Sequence, residues 1–188
     1  MPESLNAATE KPRKKMTASE RLLMLCLLAV LTAMEIVLSR FLSINTWNLK
    51  IGFSFIPVVV AAMLFGPLGG ACVAGMGDFL GATLFPIGPF FPGYTVTAVL
   101  TGLVFGLLLH KKQTPFRAAL AVAINQLLLS LVLNTFWIFL TNMDSSKASP
   151  YLTILSTRIL QCAILIPVQF VAIMLIGPAL RRIKKSFL

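Results

Sequence analysis

The longest constraint on this chain is its run of apolar residues. Residues 22–38 read LLMLCLLAVLTAMEIVL, with one charged side chain, Glu35. A helix rises about 1.5 Å per residue, so about 20 such residues cross the roughly 30 Å of bilayer hydrocarbon. Comparable runs recur up to the basic C-terminal segment. The 188 residues are 57% hydrophobic and 12% charged, against about a quarter charged in soluble domains. That little charge cannot clothe a soluble surface, and disorder needs low hydrophobicity. One anchor on a soluble domain is excluded because the apolar residues are spread along the whole chain. The expected fold is an all-α integral membrane domain over residues 19–188. A flexible cytoplasmic tail over 1–18 precedes it, with Lys11, Arg13, Lys14 and Lys15 clustered.

Six transmembrane helices are expected: 20–40, 52–65, 70–84, 94–109, 115–141 and 151–180. Thr17–Ala18–Ser19–Glu20 supplies capping chemistry for the first. The breakers are Gly66–Pro67–Leu68–Gly69–Gly70, the three prolines and two glycines of FPIGPFFPG at 85–93, and the polar NMDSSKASP at 142–150. Polar loops are expected around 45–50 and 142–150, and a kink at Pro167. The first apolar run lacks a small-x-small cleavage site and is expected to be retained. Twelve of the 16 basic residues fall on the side of the termini and four on the other. Positive residues stay inside, so both termini are expected in the cytoplasm, with the loops at 40–51, 85–93 and 142–150 outward.

The net charge of +10 therefore reads as membrane orientation. No nucleic-acid partner is expected, because lipid-facing helices offer no basic groove with stacking aromatics. HExxH, GxSxG, GxxxxGK[ST] and a dinucleotide GxGxxG are absent. No enzyme activity, catalytic residue, cofactor or metal is expected. Cys26, Cys72 and Cys162 lie in apolar runs without CxxC spacing and read as buried, inert thiols. His110 closes the fourth helix beside two lysines and is expected to interact with the C-terminus of that helix.

The chemistry gathers on the outward side. Arg40, Trp47, Lys50, Phe90, Tyr94, Asn134, Trp137, Arg158 and Gln161 all fall near outward loops or helix ends. Rings stack on Trp, Tyr and Phe, and arginine forks a carboxylate with two parallel bonds. The alternative for such residues is an aromatic belt with snorkelling cations. Arg158 sits among apolar neighbours in the sixth helix, where a cation usually faces a cavity or partner. Asp78, within Gly75–Met76–Gly77–Asp78–Phe79, either pairs with a buried cation such as Arg40 or Arg158 or meets the ligand. Glu35 leans to a structural pairing. Gly66/Gly70, Gly77/Gly81, Gly102/Gly106 and Ala29/Ala33 are small-xxx-small pairs that let helices approach closely.

LKIGFSFIP at 49–57, FGPLGG at 65–70, GDFLG at 77–81, FPIGP at 85–89 and FPGYT at 91–95 together resemble the substrate-binding S components of energy-coupling factor (ECF) vitamin transporters, and within them the folate-specific type. The resemblance covers nearly all of the chain after the tail. It implies six helices that capture a vitamin from outside, in a pocket built by the first and third outer connections and the outer parts of helices four to six. It implies that Ala29 and Ala33 pack against a shared transmembrane coupling subunit (EcfT), itself joined to two cytosolic ATPases (EcfA and EcfA'). It also implies that the S component topples in the bacterial cell membrane to carry its vitamin inward.

A folate ligand joins a planar pterin, an aromatic linker and two carboxylates, which matches the outward inventory. Trp47, Phe90, Tyr94 and Trp137 are expected to sandwich rings. Asp78 or Asn134 would read the pterin amino edge, and Arg40, Lys50 or Arg158 would hold carboxylates. Gln161 belongs to the same set. The competing expectations are another vitamin, such as pantothenate or riboflavin, and a membrane enzyme or assembly factor, for which only Glu35 and Asp78 offer polar chemistry.

Overall fold

The computed structural model describes residues 17–46, 49–86, 90–110, 113–142 and 151–187. The helix α1 (Ala18–Arg40) opens with a reciprocal cap: the Thr17 hydroxyl accepts from the Glu20 N–H at 3.3 Å, and the Glu20 carboxylate accepts from the Thr17 N–H at 2.8 Å. This arrangement satisfies two orphan donors of the first turn. The burial of α1 is inverted relative to a soluble helix. Its buried residues are Thr32, Glu35 and Ser39, while Leu22, Leu25, Val30 and Val37 are exposed. Polar groups face the protein because lipid offers them no partner.

A polar loop was expected after α1. It holds a two-stranded antiparallel ribbon, β1 (Ile44–Thr46) and β2 (Leu49–Ile51), with Asn45 opposite Lys50. Pairing of residues 49–51 delays the next helix from the expected position 52 to Phe55.

That helix, α2 (Phe55–Leu84), departs from helical angles at Gly66, with φ 82° and ψ −166°. The chain folds back there, so that a Cβ at Gly70 would overlap the side chain of Ala62. A left-handed φ strains any residue with a Cβ. The expected break across 66–70 is thus concentrated at one residue, and Pro67 resumes the helix at a first-turn position that tolerates its missing N–H. His110 secures this turn. Its Nδ1–H donates to the Met63 carbonyl at 3.1 Å, at the end of the first limb, as a helix C-terminus requires.

The chain continues through α3 (Pro92–Leu109), α4 (Pro115–Ala123), a π-helical segment (Ile124–Leu133), α5 (Asn134–Asn142) and α6 (Tyr151–Phe187). The sequence read 115–141 as one regular helix; ten of its residues are π-helical. The last helix runs past the expected 180 and contains Pro178 as well as Pro167. Among the described residues, five helical stretches, Ala18–Arg40, Phe55–Leu84, Pro92–Leu109, Pro115–Leu140 and Arg158–Leu180, are long and apolar enough to cross a membrane. α2 and α3 touch backbone to backbone, since a Cβ at Gly102 would overlap Gly70. The apolar core lies toward the Gly66 end and includes the fully buried Val59, Met63, Phe105, Leu109, Ala121 and Val122. The cysteines depart from expectation: Cys162 is buried, whereas Cys26 and Cys72 are exposed and face what would be lipid. The loop at 142–150 and the tail before Thr17 fall outside the described residues, Asn142 excepted.

Candidate functional site

The end of α3 opposite Gly66 carries the aromatic residues. Phe91 takes an extended conformation before Pro92, as a residue preceding proline favours. Its ring lies 5.4 Å from that of Trp137 and 6.1 Å from that of Tyr94, within the range of favourable aromatic pairs. The Trp137 indole lies against the backbone of α3, where a Cβ at Gly93 would overlap it. Trp137 Nε1–H donates to Thr97 Oγ1 at 3.1 Å, and the Thr97 hydroxyl donates to the Gly93 carbonyl at 3.1 Å. The ring is thus fixed by contact on its face and by a bond at its edge.

Arg158 approaches this group from α6. It is 8% exposed. Its Nη1 donates to the Ser130 carbonyl at 3.4 Å, while Nε has no partner. Tyr94 and Cys162 lie within electrostatic range. Among the described residues no carboxylate pairs with it; Asp78 pairs instead with Arg40. Snorkelling to the surface does not describe so buried a side chain. A guanidinium withdrawn from water without a counter-ion is costly. Gln161, 5% exposed, follows one turn later. Asn134 and Thr135 at the start of α5 each hold a buried oxygen with no partner.

Arg40 and Asp78 form a second, separate group. Arg40 Nη2 lies 4.0 Å from Asp78 Oδ1 and also reaches the Asp78 carbonyl at 3.5 Å. Thr95 donates to Asp78 Oδ2 at 2.9 Å. These three residues tie α1, α2 and α3 together, with Arg40 packed over Gly81. Of the two cations left open for Asp78, the structure supplies Arg40 and not Arg158.

Residues 23–177 match the family described as the ECF transporter substrate-specific component. The chain belongs to this family. Among its relatives, the folate transporter FolT of Clostridium novyi (strain NT) is 37% identical over 147 residues, covering 78% of this chain and 83% of that protein. FolT of Leuconostoc mesenteroides is 32% identical over 145 residues, covering 76% and 78%. A crystal structure of FolT bound with folic acid superposes with a TM-score of 0.71 at 32% identity, covering 79% of this chain and 87% of that one. The S component for biotin from an ECF-type ABC transporter has the same fold, with a TM-score of 0.64 at 21% identity over 90% and 95%. The present S component is a multi-pass membrane protein, all-helical apart from the short ribbon.

Of the residues expected at its site, Tyr94, Asn134, Trp137, Arg158 and Gln161 lie on the facing ends of α3, α5 and α6. Phe90 does not join them: it is 43% exposed, packs edge-on against Phe79 at 5.9 Å and lines an apolar groove with Val96 and Val99. Phe91 stands in its place. Lys50 lies on β2, but its side chain, like Trp47 as a whole, is outside the described residues. Ala29 and Ala33 are exposed on α1. The sequence did not single out Thr97, Thr135 or Gln126, although each is a polar residue within an apolar run and is buried.

Proposed function

We propose that this chain is the folate-binding S component of an ECF-type ABC importer, capturing folate at the extracellular face and delivering it inward with a shared energy-coupling module. The observation that carries this reading is Arg158, a buried cation without a carboxylate partner among the described residues, near Tyr94 of the cluster formed with Phe91 and Trp137. A ligand with flat rings and carboxylates supplies what these groups lack. The FolT relatives point to the same ligand. In this reading Phe91, Tyr94 and Trp137 hold the rings, Arg158 forks a carboxylate, and Asn134 and Gln161 offer hydrogen bonds. Trp47 and Lys50 stay in the set on sequence grounds. Arg40 and Asp78 serve chiefly as each other's partners.

Calorimetry on the purified protein tests the ligand. Folic acid should bind tightly, and pantothenate and riboflavin should not. Tight binding of either of those instead would assign the site to another vitamin.

The coupling subunit (EcfT) would pack on the exposed face of α1 at Ala29 and Ala33, and two ATPases (EcfA and EcfA') would supply ATP hydrolysis. Ala29→Leu with Ala33→Leu should abolish folate uptake in cells while leaving binding to the isolated protein intact; retained uptake would move the interface elsewhere. The break at Gly66 supports counting the two limbs of α2 as separate spans. That count gives six, with both termini cytoplasmic. In a cysteine-free background, Ser43→Cys should label from outside intact cells and Lys111→Cys should not, and the reverse pattern would invert the orientation.

A further inference from the structure

The two bonds at Thr97 divide its hydroxyl into separate tasks. A hydroxyl has one hydrogen to donate and two lone pairs with which to accept. Thr97 spends its hydrogen within α3, on the Gly93 carbonyl four residues back, at 3.1 Å. A bond of this kind is a regular way for threonine to sit inside a helix, and it fixes the direction of the hydroxyl. Only the acceptor side remains, and Trp137 Nε1–H reaches it from α5 at 3.1 Å. Thr97 is 4% exposed, and with its hydrogen spent it has nothing to donate to a ligand.

The indole needs a partner of this kind. The torsion that turns an aromatic ring about its Cβ–Cγ bond is broad and has two wells, which for tryptophan put the N–H on opposite edges. The neighbouring rings do not tell those edges apart. Phe91 lies 5.4 Å away at 48° and Phe136 5.1 Å away at 62°, and both are apolar. Gly93 makes room for the indole, since a Cβ there would overlap Trp137 Cδ2 and Cε2, but it offers the N–H nothing. The Thr97 oxygen is what distinguishes one edge from the other.

We propose that Thr97 is a positioning residue of the ligand site: it acts through Trp137, holding the indole in the one orientation in which its face meets a ring of the ligand. This inference rests on the folate reading above, in which Trp137 holds a ring. Ordering a side chain at the moment of binding costs affinity, and a side chain already held in its bound orientation avoids that cost.

A double-mutant cycle read by calorimetry with folic acid tests it. Thr97→Val keeps the branched shape without the hydroxyl and should weaken binding by about threefold to tenfold. Thr97→Ser keeps the hydroxyl and should bind as wild type does. In a Trp137→Phe background, where no indole N–H remains, Thr97→Val should have no further effect. NMR of the indole N–H gives a readout without ligand. The Trp137 signal, identified by its loss in Trp137→Phe, should move and exchange faster with water in Thr97→Val, and should stay in place in Thr97→Ser. Thr97→Ala carries the same expectations as Thr97→Val should the valine variant not fold. Equal weakening with and without the indole, or an unmoved signal, overturns the inference and leaves Thr97 a structural residue of α3. A wild type that does not bind folic acid removes the folate reading itself, and the ligand role of Thr97 with it, whatever the indole signal shows.

Discussion

The two faces of α3 are built on opposite principles. Toward α1 and α2 the contact is close and largely internal: Gly102 lies on the backbone of Gly70, and the charges of Arg40 and Asp78 meet each other and Thr95, with Arg40 Nε left without a hydrogen bond. Toward α5, α6 and the π-helical segment the side chains are large, and several polar groups have unused capacity. These include Arg158 Nε, Asn134 Oδ1 and Thr135 Oγ1. Inside a membrane both faces are under the same pressure to satisfy polar atoms. In the proposed folate reading the first face serves as scaffold, and the second, where most of the unpartnered atoms lie, is where a ligand would complete the set.

This contrast is sharpest at the glycines. Gly102→Val should drive a branched side chain into the Gly70 backbone, costing about 3 kcal/mol or more. The expected result is loss of a monodisperse peak on gel filtration in detergent. A normally folded variant would show that the contact yields more than its geometry implies.

Arg158→Ala tests the other face. Removing a charge-assisted contact of about 1.5–3 kcal/mol should weaken folic acid roughly 10- to 150-fold, with thermal stability unchanged or raised, because a buried unpaired cation has been removed. Unchanged affinity would take Arg158 out of the site. Next in size is Trp137→Phe, which keeps a ring beside Phe91 but loses the bond to Thr97. A weakening of about fivefold is expected by fluorescence-independent titration, and a loss as large as that of Arg158→Ala would mean that the indole touches the ligand through its N–H.

The smallest binding effect should come from Arg40→Ala. It should lower the unfolding midpoint and change folic acid affinity less than about twofold. In a cycle with Asp78→Asn, the stability losses should be non-additive by about 0.5–3 kcal/mol, as for residues in one network. If Arg40→Ala instead weakened binding as much as Arg158→Ala, the division between the two faces of α3 would fail.

The sequence revealed features that rest on local chemistry. The apolar runs, the cap at Thr17 and the break at Gly66 all follow from residue type and spacing, whereas His110, expected at its own helix end, meets the Met63 carbonyl of α2. So did the gathering of Tyr94, Trp137 and Arg158 at helix ends. Choices made by packing were hidden. Nothing in the residues near Asp78 says whether Arg40 or Arg158 is its partner, because those cations are 38 and 80 positions away. Phe90 and Phe91 differ by one position, and only packing separates them, Phe90 against Phe79 and Phe91 against Trp137. The ribbon at 44–51 is too short for an alternating pattern to stand out, and the π-helical stretch has a composition that an ordinary helix would accept equally well.

Winding of that stretch also has a mechanical consequence. A π turn takes in an extra residue over less axial length, so 124–133 stores spare chain between two regular helices. Relaxing one such turn to α geometry shifts everything beyond it by a single residue, a rotation of about 100° about the axis. Asn134 and Trp137 stand on the far side of this slack, while Ala118 and Ala121 anchor the near side in the apolar core. Asn134 and Trp137 are thus joined to the core by a length of chain wound differently from the helices on either side.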